Sequence, residues 1–147
     1  MSTIWRACLL AALLAPAACG GDDNGFSPTR ETVAGGYTAS VFTLTTPTGP
    51  ADSTTADLLA LGASVDVFLD PAGTTSGRLF VPGTVVGGAD IDEDLAGTWT
   101  LSGNIVTFNQ TGGSLISDVR FTVGPQTLTG EQEVQTSVVK LVLFKAQ

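Results

Sequence analysis

The chain has no histidine among its 147 residues. That absence excludes Ser-His-Asp and Cys-His nucleophile systems and every metal site built on imidazole. Basic side chains are scarce as well: 6 Lys and Arg against 14 Asp and Glu give a net charge of -8. A nucleic-acid binder carries the opposite balance. Lysine is confined to Lys140 and Lys145, and helix formers in general are thin. The apolar run Ala7 to Ala15 falls short of the about 20 residues that cross a bilayer as a helix. There are only 2 cysteines, Cys8 and Cys19. The length allows one domain with at most a tail.

What is present at the start reads as an address. Arg6 and the amino terminus supply positive charge, the apolar run follows, and Pro16, Ala17 and Ala18 lead up to Cys19. This is the layout of a secretory signal over residues 1–18. The stretch Leu14-Ala-Pro-Ala-Ala-Cys19-Gly-Gly-Asp-Asp resembles the lipobox of bacterial lipoproteins, with Pro16 where that family usually has Leu. The resemblance implies that Cys19 is acylated, becomes the first mature residue and anchors the chain to a membrane. The expected location is the bacterial cell envelope, on the outer membrane facing the periplasm. Several acyl chains, each CH₂ contributing about 0.8 kcal/mol, hold a protein stably on a bilayer. Ala15-Pro16-Ala17 also reads as an ordinary cleavage site, which would release a soluble chain. Either way Cys8 is lost with the signal, and Cys19 has no partner for an internal disulfide.

Residues 19–30 are mainly Gly, Asp, Asn, Ser and Pro without periodicity, so a flexible tether is expected there. The folded domain is expected over residues 31–147. From Cys19 onward the chain holds 20 Thr and 14 Val, stiff β-branched residues that suit a pleated surface. Gly and Pro punctuate it at the spacing of short strands and tight turns. Alternation is clear in Ser64-Val-Asp-Val-Phe-Leu-Asp70, where Val65, Val67 and Leu69 share a face. Ser76 to Val81 returns after Pro71-Ala-Gly-Thr, and Phe68 and Phe80 are expected outside, paired across the ladder. Trp99 and Leu101 alternate with Thr98, Thr100 and Ser102; Ile105 to Asn109 comes back with Val106 and Phe108 on the face of Trp99. Val119, Phe121 and Val123 lead through Gly-Pro-Gln into Thr127 to Glu133. In the last strand, Ser137 to Lys145, Val139, Leu141 and Leu143 face inward. Its other face holds Val138, Val142 and Phe144, so cover on both sides is expected. With Val33 to Thr45 as the first strand, the fold class is all-β. Eight sequential antiparallel strands close most simply into an up-and-down barrel, with a two-sheet sandwich as the alternative. Asp57 to Leu61 is expected to make a single helical turn. Val33-Ala-Gly-Gly-Tyr-Thr-Ala-Ser40 echoes Leu95-Ala-Gly-Thr-Trp-Thr-Leu-Ser102, each opening a set of four strands, as two related halves would.

The stretch Leu61 to Val123, with Asp70-Pro-Ala-Gly, Asp94-Leu-Ala-Gly-Thr-Trp-Thr-Leu-Ser-Gly-Asn and Val-Thr-Phe, resembles the small lipocalin-like (calycin) barrels carried by bacterial lipoproteins. In lipocalins proper, Gly-x-Trp lies on the first strand and a basic residue late in the chain packs on the Trp. Here Gly97-Thr-Trp99 opens about the fourth strand, and Gly35-Gly-Tyr37 holds the first-strand place. The resemblance implies a barrel that binds a small apolar ligand.

Three chemistries compete for the side chains. Trp99, Leu101, Phe108 and Phe121 would line an apolar ligand pocket, or simply fill a narrow barrel. Asp90, Asp92 and Asp94, in Asp90-Ile-Asp-Glu-Asp94, are the dense oxygen ligands and a weak calcium candidate, although a solvated linker explains them equally. Catalysis has the poorest support: Ser64 in Gly-Ala-Ser-Val lacks an activating base, and Asp66, Asp70, Arg78 and Arg120 read as surface charges. The expected protein is a non-enzymatic, monomeric lipoprotein without cofactor, whose partners are a membrane and a small apolar ligand or lipid. The competing expectation is a structural or protein-interaction lipoprotein with a filled barrel.

Overall fold

The computed structural model describes residues 26–112, 115–117 and 119–147. Ten strands form one antiparallel sheet that closes on itself. They are β1 (Gly35–Pro47), β2 (Ser53–Asp57), β3 (Ser64–Leu69), β4 (Thr74–Val81), β5 (Ile91–Asp94), β6 (Gly97–Ser102), β7 (Ile105–Gln110), β8 (Arg120–Val123), β9 (Thr127–Val134) and β10 (Ser137–Lys145). Closure comes from β1 against β10, along a register from Tyr37↔Lys145 to Thr45↔Val138. The result is an eight-stranded antiparallel barrel with two additional strands. The expected up-and-down barrel is therefore the fold, and the sandwich is not.

The two additional strands are pieces of wall positions that the chain breaks in two. β2 and β3 both pair with β1, β2 against Thr43–Pro47 and β3 against Gly35–Thr38. Between them, Leu58 to Gly62 makes a tight turn with Leu61 N–H on Leu58 O and Gly62 N–H on Leu59 O. Asp57 Oδ1 accepts from Leu59 N at 3.0 Å and Ala60 N at 3.3 Å, so the expected helical turn forms as a capped turn. In the same way β5 and β6 both pair with β4, at its upper and lower ends. β5 was expected as a linker: Ile91-Asp-Glu-Asp94 is instead extended, with Arg78↔Asp94 and Val81↔Ile91 in register.

Strand alternation sets the inside. β3 buries Val65, Val67 and Leu69 and exposes Ser64, Asp66 and Phe68. The inward residues of all strands merge into one apolar core that includes Phe42, Leu79, Trp99, Phe108, Phe121, Leu128, Leu141 and Leu143. Glycine is required at Gly97, where a Cβ would lie 2.2 Å from the backbone oxygen of Asn109. Gly73 (φ +100°) closes the β3–β4 turn, donating to Asp70 O at 2.9 Å while Asp70 Oδ1 accepts from Ala72 N at 2.7 Å.

Three local expectations need correction. Phe68 pairs with Ser76 and Phe80 with Ser64, so the two aromatics are not cross-strand partners. The outer face of β10 is covered only in part: Val138 and Val142 are half-buried, but Phe144 is 46% exposed. Nor is the wall two equal halves: β1, β3 and β4 precede β6 around it, whereas β6 is followed by β7, β8, β9 and β10.

Candidate functional site

The two ends of the barrel are built differently. At the lower end the chain arrives through α1 (Arg30–Val33), whose N-cap Thr29 and Thr32 satisfy each other's backbone amides. Val33 is buried and its carbonyl accepts from the Tyr37 hydroxyl at 2.6 Å. Lys145 donates to Thr32 O at 2.7 Å and lies 5.9 Å from the Tyr37 ring centre, tying the C-terminal strand to α1. Arg30 lies 5.3 Å from the Trp99 ring centre, and Trp99 Nε1 donates to Asp70 O at 2.8 Å. The sequence echo thus has a chemical meaning. Tyr37 and Trp99 each plug this end, each has a hydrogen bond to a carbonyl, and each has a cation over its ring. The cation on Trp99 comes from early in the chain, and the late Lys145 serves Tyr37. Burial alone pushes the Tyr37 phenol up to about 12.

At the upper end the wall opens. A cavity of about 260 Å³ is lined by Leu44, Leu58, Val81, Ile91, Leu115, Val134 and Val139, with Gln135 and Ser137 of the β9–β10 region as its polar lining. Between β7 and β8, Leu115 lines this cavity, and Ile116 and Val119 are buried in the core.

Beneath the collar the barrel is polar on one side. On β7, Val106, Phe108 and Gln110 share the inward face. On β5, Ile91 lines the cavity and Glu93, two residues on, is paired with the buried Leu79 and shares its inward direction. On β9, Gln132 pairs with Val139 of the cavity wall. Thr75 and Gln110 straddle Gly97, and Thr75 Oγ1 donates to Gln110 Oε1 at 3.4 Å. Among the described residues four buried side-chain atoms have no hydrogen-bond partner: Glu93 Oε2, Gln110 Nε2, Ser117 Oγ and Gln132 Oε1. Native interiors hold few such atoms, and each one needs an explanation.

Two further depressions lie on the surface. A cleft of about 440 Å³ is bounded by Glu93, Asp94, Ala96, Thr111 and Gly112, where β5 has no strand beside it opposite β4. On the outer wall a shallow groove of about 240 Å³ runs over Gly36 and Gly77 beside Phe68, which is 48% exposed.

The residues expected to line a ligand pocket divide from the cavity that is present. Trp99, Phe108 and Phe121 are fully buried in the lower and middle core, with the two Phe rings tilted at 44° and 4.9 Å apart. Leu101 is half-buried on the same strand as Trp99. None of the four lines the open mouth. The calcium candidates are dispersed: Asp90 Oδ1 accepts from Gly83 N at 2.6 Å, Asp92 takes both Nε and Nη2 of Arg78, and Asp94 lies at the side cleft. The guanidinium bond holds the Asp92 carboxyl below its usual range. Among the described residues no three carboxylates or cysteines converge on a metal position. Asp66 accepts from Thr38 Oγ1 at 2.7 Å, and Arg120 and Ser64 are exposed. Cys19 and the signal segment lie outside the described residues. No described helix is long and apolar enough to cross a membrane.

No protein-family model, no curated protein and no solved structure matches the chain.

Proposed function

We propose that this chain is a lipid-anchored, lipocalin-like binding module of the bacterial cell envelope, which takes a small apolar ligand into the open mouth of its barrel and catalyses nothing. The observation that carries the reading is the asymmetry of the barrel interior. The lower end is filled and stoppered by Tyr37, Trp99 and α1, whereas the upper end keeps a concave, mainly aliphatic cavity. Its volume of about 260 Å³ lies near the lower limit for small-molecule sites, so the occupant is slender. Anchoring through Cys19 is supported by the sequence around it, and the chain reaches the barrel at its stoppered end, through α1. A tether attached there leaves the mouth pointing away from the attachment.

The second reading, a barrel acting through its outer surface, draws on Phe68 and Phe144, exposed beside the groove over Gly36. Native mass spectrometry of the chain extracted from cells under non-denaturing conditions separates the two. A co-purifying small molecule that is lost when Val134→Trp fills the mouth supports the binding reading. Bare protein that also fails to take up added medium-chain alcohols or ethers rules it out.

A further inference from the structure

The collar of the mouth is aliphatic, but the layer below it is not. Gln110 is only 9% exposed, its Nε2 has no acceptor, and it shares the inward face of β7 with Phe108. Glu93 Oε2, Gln132 Oε1 and Ser117 Oγ are likewise buried and without a partner. Glu93 and Gln132 stand one inward step below Ile91 and Val134, which line the cavity. The set amounts to two acceptor oxygens, one amide donor and one hydroxyl that can do either. Leaving such atoms unpaired is costly, and a pure hydrocarbon in the mouth would leave them all unpaired.

We infer that the ligand is an amphiphile with an uncharged hydroxyl head, that it enters head first, and that its head accepts from Gln110 and donates to one of the two acceptor oxygens, on Gln132 or Glu93, while its alkyl chain rests in the collar. This inference rests on the binding reading above and deepens it. A hydroxyl brings one hydrogen and two lone pairs, which matches an acceptor oxygen and the Gln110 amide together. A carboxylate head would bring only acceptors and a negative charge against Glu93, in a chain that already carries -8. Specificity follows the same logic: a site whose buried polar groups await a hydroxyl discriminates strongly against an analogue that lacks it.

The test is isothermal titration calorimetry of the full chain with three probes: 1-octanol, its isomer heptyl methyl ether, and octanoate. The ether has the same heavy-atom count as the alcohol and lacks the donor hydrogen. The alcohol is expected to bind about tenfold or more tightly than the ether, the return for hydrogen bonds regained by buried groups. Octanoate is expected to bind more weakly than the alcohol. Gln110→Leu removes the unpaired donor and should erase most of the preference for alcohol over ether. Glu93→Gln keeps the shape and removes the charge, so it should improve octanoate more than it improves the ether. Equal affinity for alcohol and ether overturns the inference and leaves the binding reading standing; so does octanoate binding as tightly as octanol. Failure of all three probes to bind removes the binding reading and the inference with it.

Discussion

Substituting Trp99→Phe tests whether the stoppered end is what holds the barrel together. The indole is fully buried, so the smaller ring leaves unfilled space, which costs about 1 to 2 kcal/mol. The Nε1 hydrogen bond to Asp70 O is lost as well. That carbonyl keeps its bond from Gly73 N at 2.9 Å, so it is not orphaned, and the loss stays at the lower end, about 1 kcal/mol. Arg30 keeps an aromatic face, though a poorer one than indole, and at an exposed site the difference is below about 0.5 kcal/mol. Together these predict destabilisation by about 2 to 3 kcal/mol, read as a fall in the urea midpoint at unchanged slope. Octanol binding at the mouth should be unaltered under native conditions, because Trp99 lines no part of the cavity. A loss below about 0.5 kcal/mol would show that the plug around Trp99 is not a main contributor to stability. A changed ligand affinity would show that the two ends are coupled, against the description given above.

The remaining expectations concern other parts of the molecule. Gly97→Ala places a methyl group 2.2 Å from a backbone oxygen that cannot yield without breaking the β6–β7 ladder, so it should lower thermal stability more than Trp99→Phe or prevent folding, as circular dichroism would show. Tyr37 is the single tyrosine of the chain, so its titration can be followed directly by phenolate absorbance. Its folded value of about 12 lies above the about 10 of an unfolded phenol. The raised value means that its contribution is intact below pH about 10 and is lost as pH rises towards 12; stability flat across that window would refute the assignment. Arg78→Ala breaks an exposed pair with Asp92 and should leave the denaturation midpoint in place, while the Asp92 carboxyl titrates nearer its ordinary range by NMR. Val134→Trp should abolish octanol binding with little change in stability, since Val134 stands in the open mouth and is only partly buried.

How much of this could be read from the residues varied with how strongly they alternate. Val65, Val67 and Leu69 against Ser64, Asp66 and Phe68 gave β3 and its inward face directly, and the β6–β7 and β8–β9 hairpins followed on the same ground. β2 escaped because Ser53-Thr-Thr-Ala-Asp57 is almost wholly exposed and so carries no apolar period. β5 escaped because Ile91 is its single apolar residue; its strand state comes from pairing with β4, a tertiary cause that local composition does not contain. The site itself was sought among the largest aromatics, and those are what a narrow barrel uses to fill itself. The signal that could have located the polar layer was present: Gln110 continues the inward series of Val106 and Phe108, and a glutamine at a core position asks for a partner. The mouth was not legible, since it is formed by ordinary Leu, Ile and Val from five strands and two connecting segments.

The breaks between β2 and β3, and between β5 and β6, have a consequence for how this molecule can change. Each interruption leaves a short ribbon at the rim, β2 held to β1 alone and β5 held to β4 alone, beside the longer ladders that carry the rest of the collar. Residues that determine cohesion and residues that determine selectivity therefore occupy different storeys of one small cylinder. Replacements around the rim can reshape what fits there while the aromatic base goes on folding as before.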